Sequence, residues 1–195
     1  MPTVDCKLVN QNRDIAQNST CVLYGSDGST ATGVFVYIEN QYYILSSEHV
    51  VKDGLTWKIV FSANDKQTIQ LITPKLFPLG NDTHCVAMRV TSLNSQIKAR
   101  ALDLIKSYGD CQETQIVFII QHIGTDELMM STGDIVKKEN ILLYYRADTD
   151  KGSEGSGVWN YKYQLTGIHH SDGTTSNIGT EILPILEKLN DISKC

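Results

Sequence analysis

A nine-residue stretch, Thr149-Asp150-Lys151-Gly152-Ser153-Glu154-Gly155-Ser156-Gly157, decides the fold of this chain. Its last six residues place three glycines and two serines around a single carboxylate, a composition typical of a tight turn. The run that follows, with Val158 and Trp159, predicts a strand that leaves the turn. We therefore expect a turn here between β segments.

Short β-rich runs separated by turn residues lie on both sides of this turn. They are rich in Val, Ile and Tyr and recur about every ten residues, which is typical of an antiparallel barrel or sandwich. A dipeptide with turn composition, Glu39-Asn40, separates two of them. The pattern predicts strands at 21–24, 33–38, 42–45, 57–61, 67–72, 85–90, 116–121, 131–136, 141–146, 157–160 and 164–169.

Two further segments lack the strand pattern. Residues 94–114 are mixed and polar without alternation, which suits a connector between two β halves. Residues 180–189 carry apolar side chains at helical spacing, with Thr180 as the expected N-cap and Pro184 near enough to the start to be tolerated. The chain is thus expected to form two β halves and a terminal helix.

Composition excludes several classes of function. At 195 residues and 41% hydrophobic content, the chain can bury a sizeable core, and disorder is not expected. A formal charge of −5 offers no basic surface for nucleic acid or an anionic membrane. The longest apolar runs, such as 116–120, are too short to span a bilayer. We expect a soluble protein that has no nucleic-acid or membrane partner.

The cysteines bear on the cellular compartment. Their number is odd, their spacing is irregular and no C-x-x-C pair occurs, which argues against a disulfide framework or a zinc ribbon. The N-terminus also lacks the basic start and apolar core of a secretory signal. Unless the sequence is a fragment of a larger precursor, an intracellular, cytoplasmic location is expected. The five cysteines are Cys6, Cys21, Cys85, Cys111 and Cys195.

Several landmarks occur in the order found in one protease family. Residues 42–51 resemble the strand-then-histidine segment of the chymotrypsin-like and HtrA-like serine proteases, with the Gly33-Val34-Phe35-Val36 strand upstream. The stretch 149–157 resembles their nucleophile turn, Thr-x-x-Gly-x-Ser-Gly-x-Pro. Glu154 lies thirteen residues before Gly167, as expected for an HtrA-like protease. Segments 121–124, 131–135 and 158–160 complete the order, so the resemblance covers about residues 18–190.

This resemblance implies an all-β fold with two six-stranded antiparallel β-barrels, the chymotrypsin-like double barrel, and a C-terminal helix. We expect the N-terminal barrel over 18–95, the C-terminal barrel over 110–180 and the helix over 181–192. Such a protease needs a serine nucleophile, a histidine base and a buried carboxylate that orients the histidine. No cofactor is implied.

The resemblance places only the base in its usual form. His49 takes the base position, His84 the aspartate position and Glu154 the serine position. A carboxylate is a weak nucleophile toward an amide, and the oxyanion-binding N–H groups of Gly152 and Glu154 would attract the Glu154 charge itself. A structural Glu154–His49 pair, with His84 as a neutral acceptor, is the expected local consequence.

Three neighbouring residues could still supply missing chemistry. Asp82, in the turn 80–83, could orient His49, although a turn aspartate that bonds its own backbone is the simpler interpretation. Ser153 or Ser156 could act as the nucleophile, although both suit hydrogen-bonding roles within the turn. His49, His84 and Glu154 could instead bind zinc, against which stands their expected arrangement in a row.

Pocket residues indicate two different specificities. Asp148 and Thr149 precede the turn, where trypsin-like enzymes place the acidic base of a pocket for basic side chains. His169 resembles the pocket histidine of viral chymotrypsin-like proteases that select glutamine. A solvated aspartate and a strand-end histidine are the plainer interpretations.

Three hypotheses follow. The first is a non-catalytic protease homologue, a pseudoenzyme that binds a peptide or protein in the former substrate cleft. The second is an active serine endopeptidase that uses Ser153 or Ser156 with His49 and Asp82. The third is the metal site.

Overall fold

The computed structural model describes residues 5–61, 67–80, 82–91, 93–98, 100–123 and 127–194. Its helices are α1 (Cys6–Ser19), α2 (Ser95–Lys98), α3 (Leu104–Ser107) and α4 (Ile182–Ser193). In these ranges no helix is both long enough and apolar enough to cross a bilayer. The predicted turn residues Asn81 and Gly124, the connector residue Ala99 and Cys195 lie outside the described residues.

Helix α1 was not predicted from the sequence. It begins at Asp5, whose side chain accepts a hydrogen bond from the Lys7 backbone N–H at 2.9 Å. It ends where Thr20 turns into the first strand, and it buries Ala16 in the core together with the partly buried Val9. The chain therefore enters the first sheet from a helix packed against it.

The first β unit is one curled sheet. Its path runs in the order β5-β4-β1-β2-β3-β7-β6, and β8 pairs in parallel with β2. Strands β2 and β3 join through the predicted turn, where Glu39 and Asn40 both have positive φ, as a two-residue hairpin turn requires. Its strands are β1 (Thr20–Gly25), β2 (Thr30–Ile38), β3 (Gln41–Ser47), β4 (Trp57–Phe61), β5 (Gln67–Leu71), β6 (Leu76–Pro78), β7 (Cys85–Val90) and β8 (Leu102–Asp103).

The second β unit is a closed six-stranded barrel. All neighbouring strands are antiparallel, in the order β10-β11-β14-β13-β12-β9. Its strands are β9 (Ile116–His122), β10 (Leu128–Glu139), β11 (Leu142–Arg146), β12 (Gly157–Asn160), β13 (Leu165–Asp172) and β14 (Asn177–Glu181). The double-barrel fold class is confirmed, with the first unit formed as a curled eight-stranded sheet rather than a closed six-stranded barrel.

A shared core joins the two units. One cluster of buried side chains includes Leu45 and Ala87 of the first sheet, Trp159 and Ile168 of the barrel, and the inner face of α4. A second cluster, around Trp57, lies within the first sheet, and a third, smaller one lies within the barrel. Since one apolar cluster includes both units, their relative position is fixed by packing. The cleft described below lies between them.

Three sequence predictions about elements need correction. The terminal helix begins at Ile182 after Glu181 at the N-cap, which makes no side-chain capping bond. Thr180, the expected cap, lies in β14 instead, and its hydroxyl donates to the Thr83 carbonyl at 2.6 Å. The connector 94–114 contains α2, β8 and α3. Strands β6 and β14 were not predicted, because neither has a clear apolar alternation.

Candidate functional site

A cavity of about 740 Å³ opens beside the 149–156 turn. Its walls come from the β1–β2 turn (27–30), the segment after β3 (residues 49, 50 and 52), the turn residues 150–154, Ile123 and Asp172. His49 and Glu154 both line it, so the predicted base and nucleophile positions share one cleft. We call this cavity the cleft.

Backbone hydrogen bonds hold the 149–156 turn in place. Within it, the Ser153 N–H donates to the Asp150 carbonyl and the Ser156 N–H to the Ser153 carbonyl, both at 2.9 Å. The turn is also bonded to β13. The Gly155 N–H donates to the His169 carbonyl, and the His169 N–H donates to the Ser156 carbonyl, both at 2.8 Å. The turn is therefore a rigid extension of the barrel.

Thr32 ties the same turn to the first sheet. Its N–H donates to the Glu154 carbonyl at 2.9 Å and its hydroxyl donates to the Gly152 carbonyl at 2.8 Å. The hydroxyl also accepts from the His122 N–H, at the end of β9, at 3.0 Å. One buried threonine thus joins β2, β9 and the turn.

Glu154 has a fixed backbone and an unpartnered carboxylate oxygen. Its Oε2 is buried and finds no hydrogen-bond partner among the described residues. Across those same ranges, no hydrogen bond joins the Gly152 or Glu154 N–H to this carboxylate or to His49. The expected Glu154–His49 pair and self-capping of the oxyanion groups are therefore not seen as hydrogen bonds.

His49 lies in the turn that follows β3, with its side chain exposed. Its backbone N–H donates to the Ser47 hydroxyl at 3.2 Å. Its ring stacks on the His84 ring, with centroids 5.3 Å apart and planes 19° apart. The ring makes no hydrogen bond within the described part of the chain, so neither a carboxylate nor a hydroxyl orients it as a catalytic base requires.

His84 lies just before β7, where its positive φ of 51° ends the turn from Gly80. Its Nδ1 is 3.4 Å from Oε1 of Glu48, and its carbonyl accepts the Glu48 N–H at 3.1 Å. His84, which the motif assigns to the aspartate position, thus has a carboxylate partner of its own.

A third histidine, which the sequence analysis missed, completes this corner. His170 of β13 is only 4% exposed, and its ring centroid is 4.8 Å from that of His84 and 6.2 Å from that of His49. Burial, with smaller contributions from His84, His169 and His49, lowers the pKa of His170 to about 3, so the ring is neutral at neutral pH. Strand alternation was the signal that could have indicated His170. Adjacent residues of a strand point to opposite faces, so the residue after the predicted pocket histidine His169 faces the other side of β13.

The structure does not bring Asp82 to His49. Asp82 is exposed in the turn 80–83, where the Thr83 N–H donates back to the Gly80 carbonyl at 3.2 Å. Among the described residues, no contact joins the Asp82 carboxylate to the His49 ring. Asp82 therefore fits the simpler interpretation, a turn residue.

The two serines of the turn face other partners. The Ser153 hydroxyl is 3.3 Å from Nε2 of His169, and the Ser156 hydroxyl donates to the Ser153 carbonyl. The two side chains are 1% and 0% exposed. Neither hydroxyl contacts His49, so both have the structural roles that the plainer interpretation gave them.

His169 is the centre of a buried polar group on the other face of β13. Its Nδ1 is 2.7 Å from the Tyr145 hydroxyl and its Nε2 is 3.4 Å from Oδ1 of Asp172. With its proton on Nε2, His169 accepts from Tyr145 and donates toward Asp172. Burial raises the pKa of Tyr145, and the hydrogen bond with His169 lowers that of Asp172. Tyr145 carried no sequence signal beyond its place in a strand.

Of the other two predicted pocket residues, only Thr149 is linked to the His169 group. The Thr149 hydroxyl donates to Oδ1 of Asp172 at 2.7 Å, which links it to this polar group. Asp148 is exposed, and it lines a second cavity of about 440 Å³ together with Arg146 rather than the cleft. Asp148 and His169 therefore do not define one pocket.

The predicted zinc ligands are not gathered as the side chains stand. In the ranges that the structure describes, no three His, Cys, Asp or Glu side chains are arranged to hold one metal ion. His49, His84 and Glu154 therefore do not form a site in their present rotamers. The described cysteines Cys21, Cys85 and Cys111 are free thiols.

Comparisons with known proteins agree with the fold. The family described as "Trypsin-like peptidase domain" matches residues 31–168. A serine endoprotease from Yersinia pestis superposes with a TM-score of 0.75 at 16% identity, over 100% of this chain and 68% of its own. The HtrA-type protease AlgW, in complex with a tripeptide, gives 0.74 at 15% identity over 95% and 64%. Deg5 gives 0.70 at 14% identity over 96% and 95%. No curated protein sequence matches the chain.

Proposed function

Because this chain belongs to the trypsin-like peptidase domain family, we propose that it is a non-catalytic member, a pseudoprotease that binds a peptide or protein segment in the cleft. One observation carries the proposal. The motif assigns Glu154 to the nucleophile position, and the hydroxyls of Thr149, Ser153 and Ser156 in the same turn all have partners other than His49. The acyl-transfer step of the serine mechanism has no nucleophile there.

The cleft retains features that suit a ligand. It is open, it lies between the two β units, and exposed charged groups of both signs line it, including Lys52 and Asp150. A concave surface with a few fixed polar groups is the usual form of a binding site. Hydrogen bonds to Thr32 and to β13 hold the turn, so the wall of the cleft formed by residues 150–154 is fixed by both β units.

Two assays test the absence of catalysis. Purified protein is treated with a fluorophosphonate probe and with a broad set of fluorogenic peptides, alongside an active HtrA-type protease. We expect no labelled serine and no cleavage above buffer. Labelling at Ser153 or Ser156, abolished by His49→Ala, would establish the alternative, an active endopeptidase with a displaced nucleophile.

A display selection tests the binding role. A random peptide library is panned against the protein, and the enriched peptides are measured by calorimetry. Lys52→Glu, inside the cleft, should weaken binding at least about tenfold if the ligand lies there. Lys188→Glu, on the exposed side of α4, is the matched charge reversal and should leave binding unchanged. Equal effects of the two variants, or no enriched peptide, would contradict the proposal.

An intracellular, cytoplasmic location belongs to the same proposal. It is supported by the free thiols of Cys21, Cys85 and Cys111, since reducing compartments keep thiols unpaired. Microscopy of the tagged chain in its own cells tests it, and exclusive secretion would contradict it.

A further inference from the structure

Three imidazole rings pack together beside the cleft, which one of them, His49, lines. They come from the turn after β3, the residue before β7 and the middle of β13, and we call His49, His84 and His170 the histidine cluster. Their centroids are 4.8, 5.3 and 6.2 Å apart. Three of the five histidines of the chain thus pack together in one cluster.

Two rings of the cluster have one nitrogen close to a polar side chain, as ligand histidines do. Ligand histidines usually have one ring nitrogen bonded to a carboxylate or other acceptor, which fixes the ring and leaves the second nitrogen for the metal. His84 has Nδ1 3.4 Å from the Glu48 carboxylate, and His170 has Nδ1 3.3 Å from the Ser171 hydroxyl. In both rings the second nitrogen, Nε2, remains available.

His170 gives the independent indication of a ligand. The residue is 96% buried, since its relative exposure is 4%, and its Nε2 has no hydrogen-bond partner among the described residues. Buried polar atoms are nearly always satisfied, so this unpartnered nitrogen, in a ring packed against two other imidazoles, calls for a partner that the described residues do not supply. A cation that accepts nitrogen lone pairs is such a partner.

The ring separations fit a single ion. Three imidazoles bound through nitrogen at about 2.0–2.1 Å in tetrahedral directions have ring centres roughly 5 Å apart. The observed separations bracket that value. What the present rotamers lack is convergence, because the His49 and His84 planes are stacked at 19°. His49 is exposed and its ring makes no hydrogen bond in the described part of the chain, so it can turn without breaking one.

We propose that the histidine cluster binds one divalent transition-metal ion of the zinc class, through Nε2 of His84 and His170 and a ring nitrogen of His49. Imidazole ligands select zinc, copper or nickel over magnesium and calcium, which prefer oxygen. A fourth position would be filled by water or by Glu154, which lines the cleft with His49 and has a buried Oε2 without a hydrogen-bond partner among the described residues. This set differs from the one expected from the sequence, because His170 replaces Glu154 as the third essential ligand.

Metal binding is measured on untagged protein in which Cys6→Ser and Cys195→Ser remove two thiols that could bind zinc themselves. Zinc is titrated by calorimetry and by competition with a chelating dye, and cobalt is titrated by visible absorption. We expect one zinc ion per chain and intense cobalt bands of a four-coordinate site. Failure to bind zinc saturably at one ion per chain would overturn the proposal.

Three variants locate the site. His49→Ala, at an exposed position that should not affect folding, should weaken zinc binding at least about tenfold. Glu48→Gln keeps the shape of the side chain and should weaken binding by about 10–100-fold, because His84 loses its orienting carboxylate. Asp27→Asn, an exposed cleft carboxylate outside the cluster, is the control and should bind as the parent does. Parent-like affinity in both His49→Ala and Glu48→Gln would mean that the ion binds elsewhere and would refute the site.

Discussion

The protease motif assigns Glu154 to the serine position, in a turn that backbone bonds hold in place. Its carbonyl accepts the Thr32 N–H at 2.9 Å, and the Ser156 N–H donates to the Ser153 carbonyl at 2.9 Å. The effect of placing a serine at this position depends on the rest of the site. Under the proposed function a serine alone is not enough, because the motif assigns a histidine, His84, to the position of the orienting carboxylate.

We predict that Glu154→Ser alone gains no strong protease activity. His49 would still lack an orienting carboxylate, and loss of that group in serine proteases costs about 10⁴ in kcat. The double variant Glu154→Ser/His84→Asp supplies both groups and should react measurably with a fluorophosphonate probe, detected by mass spectrometry of the turn peptide. Rapid peptide turnover by the single variant would instead identify Asp82 as a working carboxylate.

The turn requires a glycine at position 155. Its φ is +88°, and a Cβ there would collide with the Ser46 side chain and the Thr32 carbonyl. Gly155→Ala should therefore lower the free energy of unfolding by about 3 kcal/mol or more, the sum of backbone strain and overpacking. Gly28→Ala is the control, since its φ is +86° but no atom lies within 4 Å of the added Cβ. It should cost only about 1–2 kcal/mol, the strain alone. Urea denaturation compares the two, and equal losses would contradict the role of the close contact.

At the scale of elements, Thr32 joins three segments through one hydroxyl. Thr32→Val keeps the volume but leaves the Gly152 carbonyl and the His122 N–H without this partner. We predict a loss of about 2–4 kcal/mol of unfolding free energy, since each unsatisfied buried group costs about 1–3 kcal/mol. Thr68→Val, on the exposed face of β5, is the matched control and should stay within about 0.5 kcal/mol of the parent. A loss in Thr32→Val as small as that in Thr68→Val would show that the Thr32 hydroxyl does not stabilise the turn.

The strands were predictable from the sequence where burial alternates or is complete. β4 and β7 have the predicted bounds because their apolar residues form compact runs between turn residues. β14 was missed, since Asn177–Glu181 is held by its pairing with β11 and β13 and not by its composition. Helix α1 was missed because few of its residues are apolar, although Asp5 offered a capping signal.

Only the site residues that belong to a local sequence motif could be predicted. His49, His84 and Glu154 each lie in a segment with its own pattern, so each could be assigned a position. His170 could not, because its meeting with His84 depends on how β13 packs against the first sheet, which is a contact between residues distant in the chain. The same holds for Tyr145 and His169.

For the whole molecule, the shared core makes the two β units one folding unit. Helix α4 contributes Ile182, Ile185 and Leu189 to the cluster that also contains Leu45 of the first sheet and Trp159 of the barrel. A domain boundary in the sequence therefore does not imply two independent stabilities. A destabilising substitution in α4 should therefore lower the stability of both units.

Leu189→Ala tests this directly, because Leu189 is fully buried in the shared core. We predict a loss of about 2–5 kcal/mol, the usual cost of such a cavity. Leu183→Ala, in the same helix but 44% exposed, should cost less than about 1 kcal/mol.

Tryptophan fluorescence follows the two parts of the molecule separately. In a Trp159→Phe background Trp57 reports on the first sheet, and in a Trp57→Phe background Trp159 reports on the shared core. Both reporters should shift together to lower urea in Leu189→Ala, because a single cooperative transition unfolds both units. Separate midpoints, with only the Trp159 signal moved, would mean that the first sheet unfolds independently of the helix.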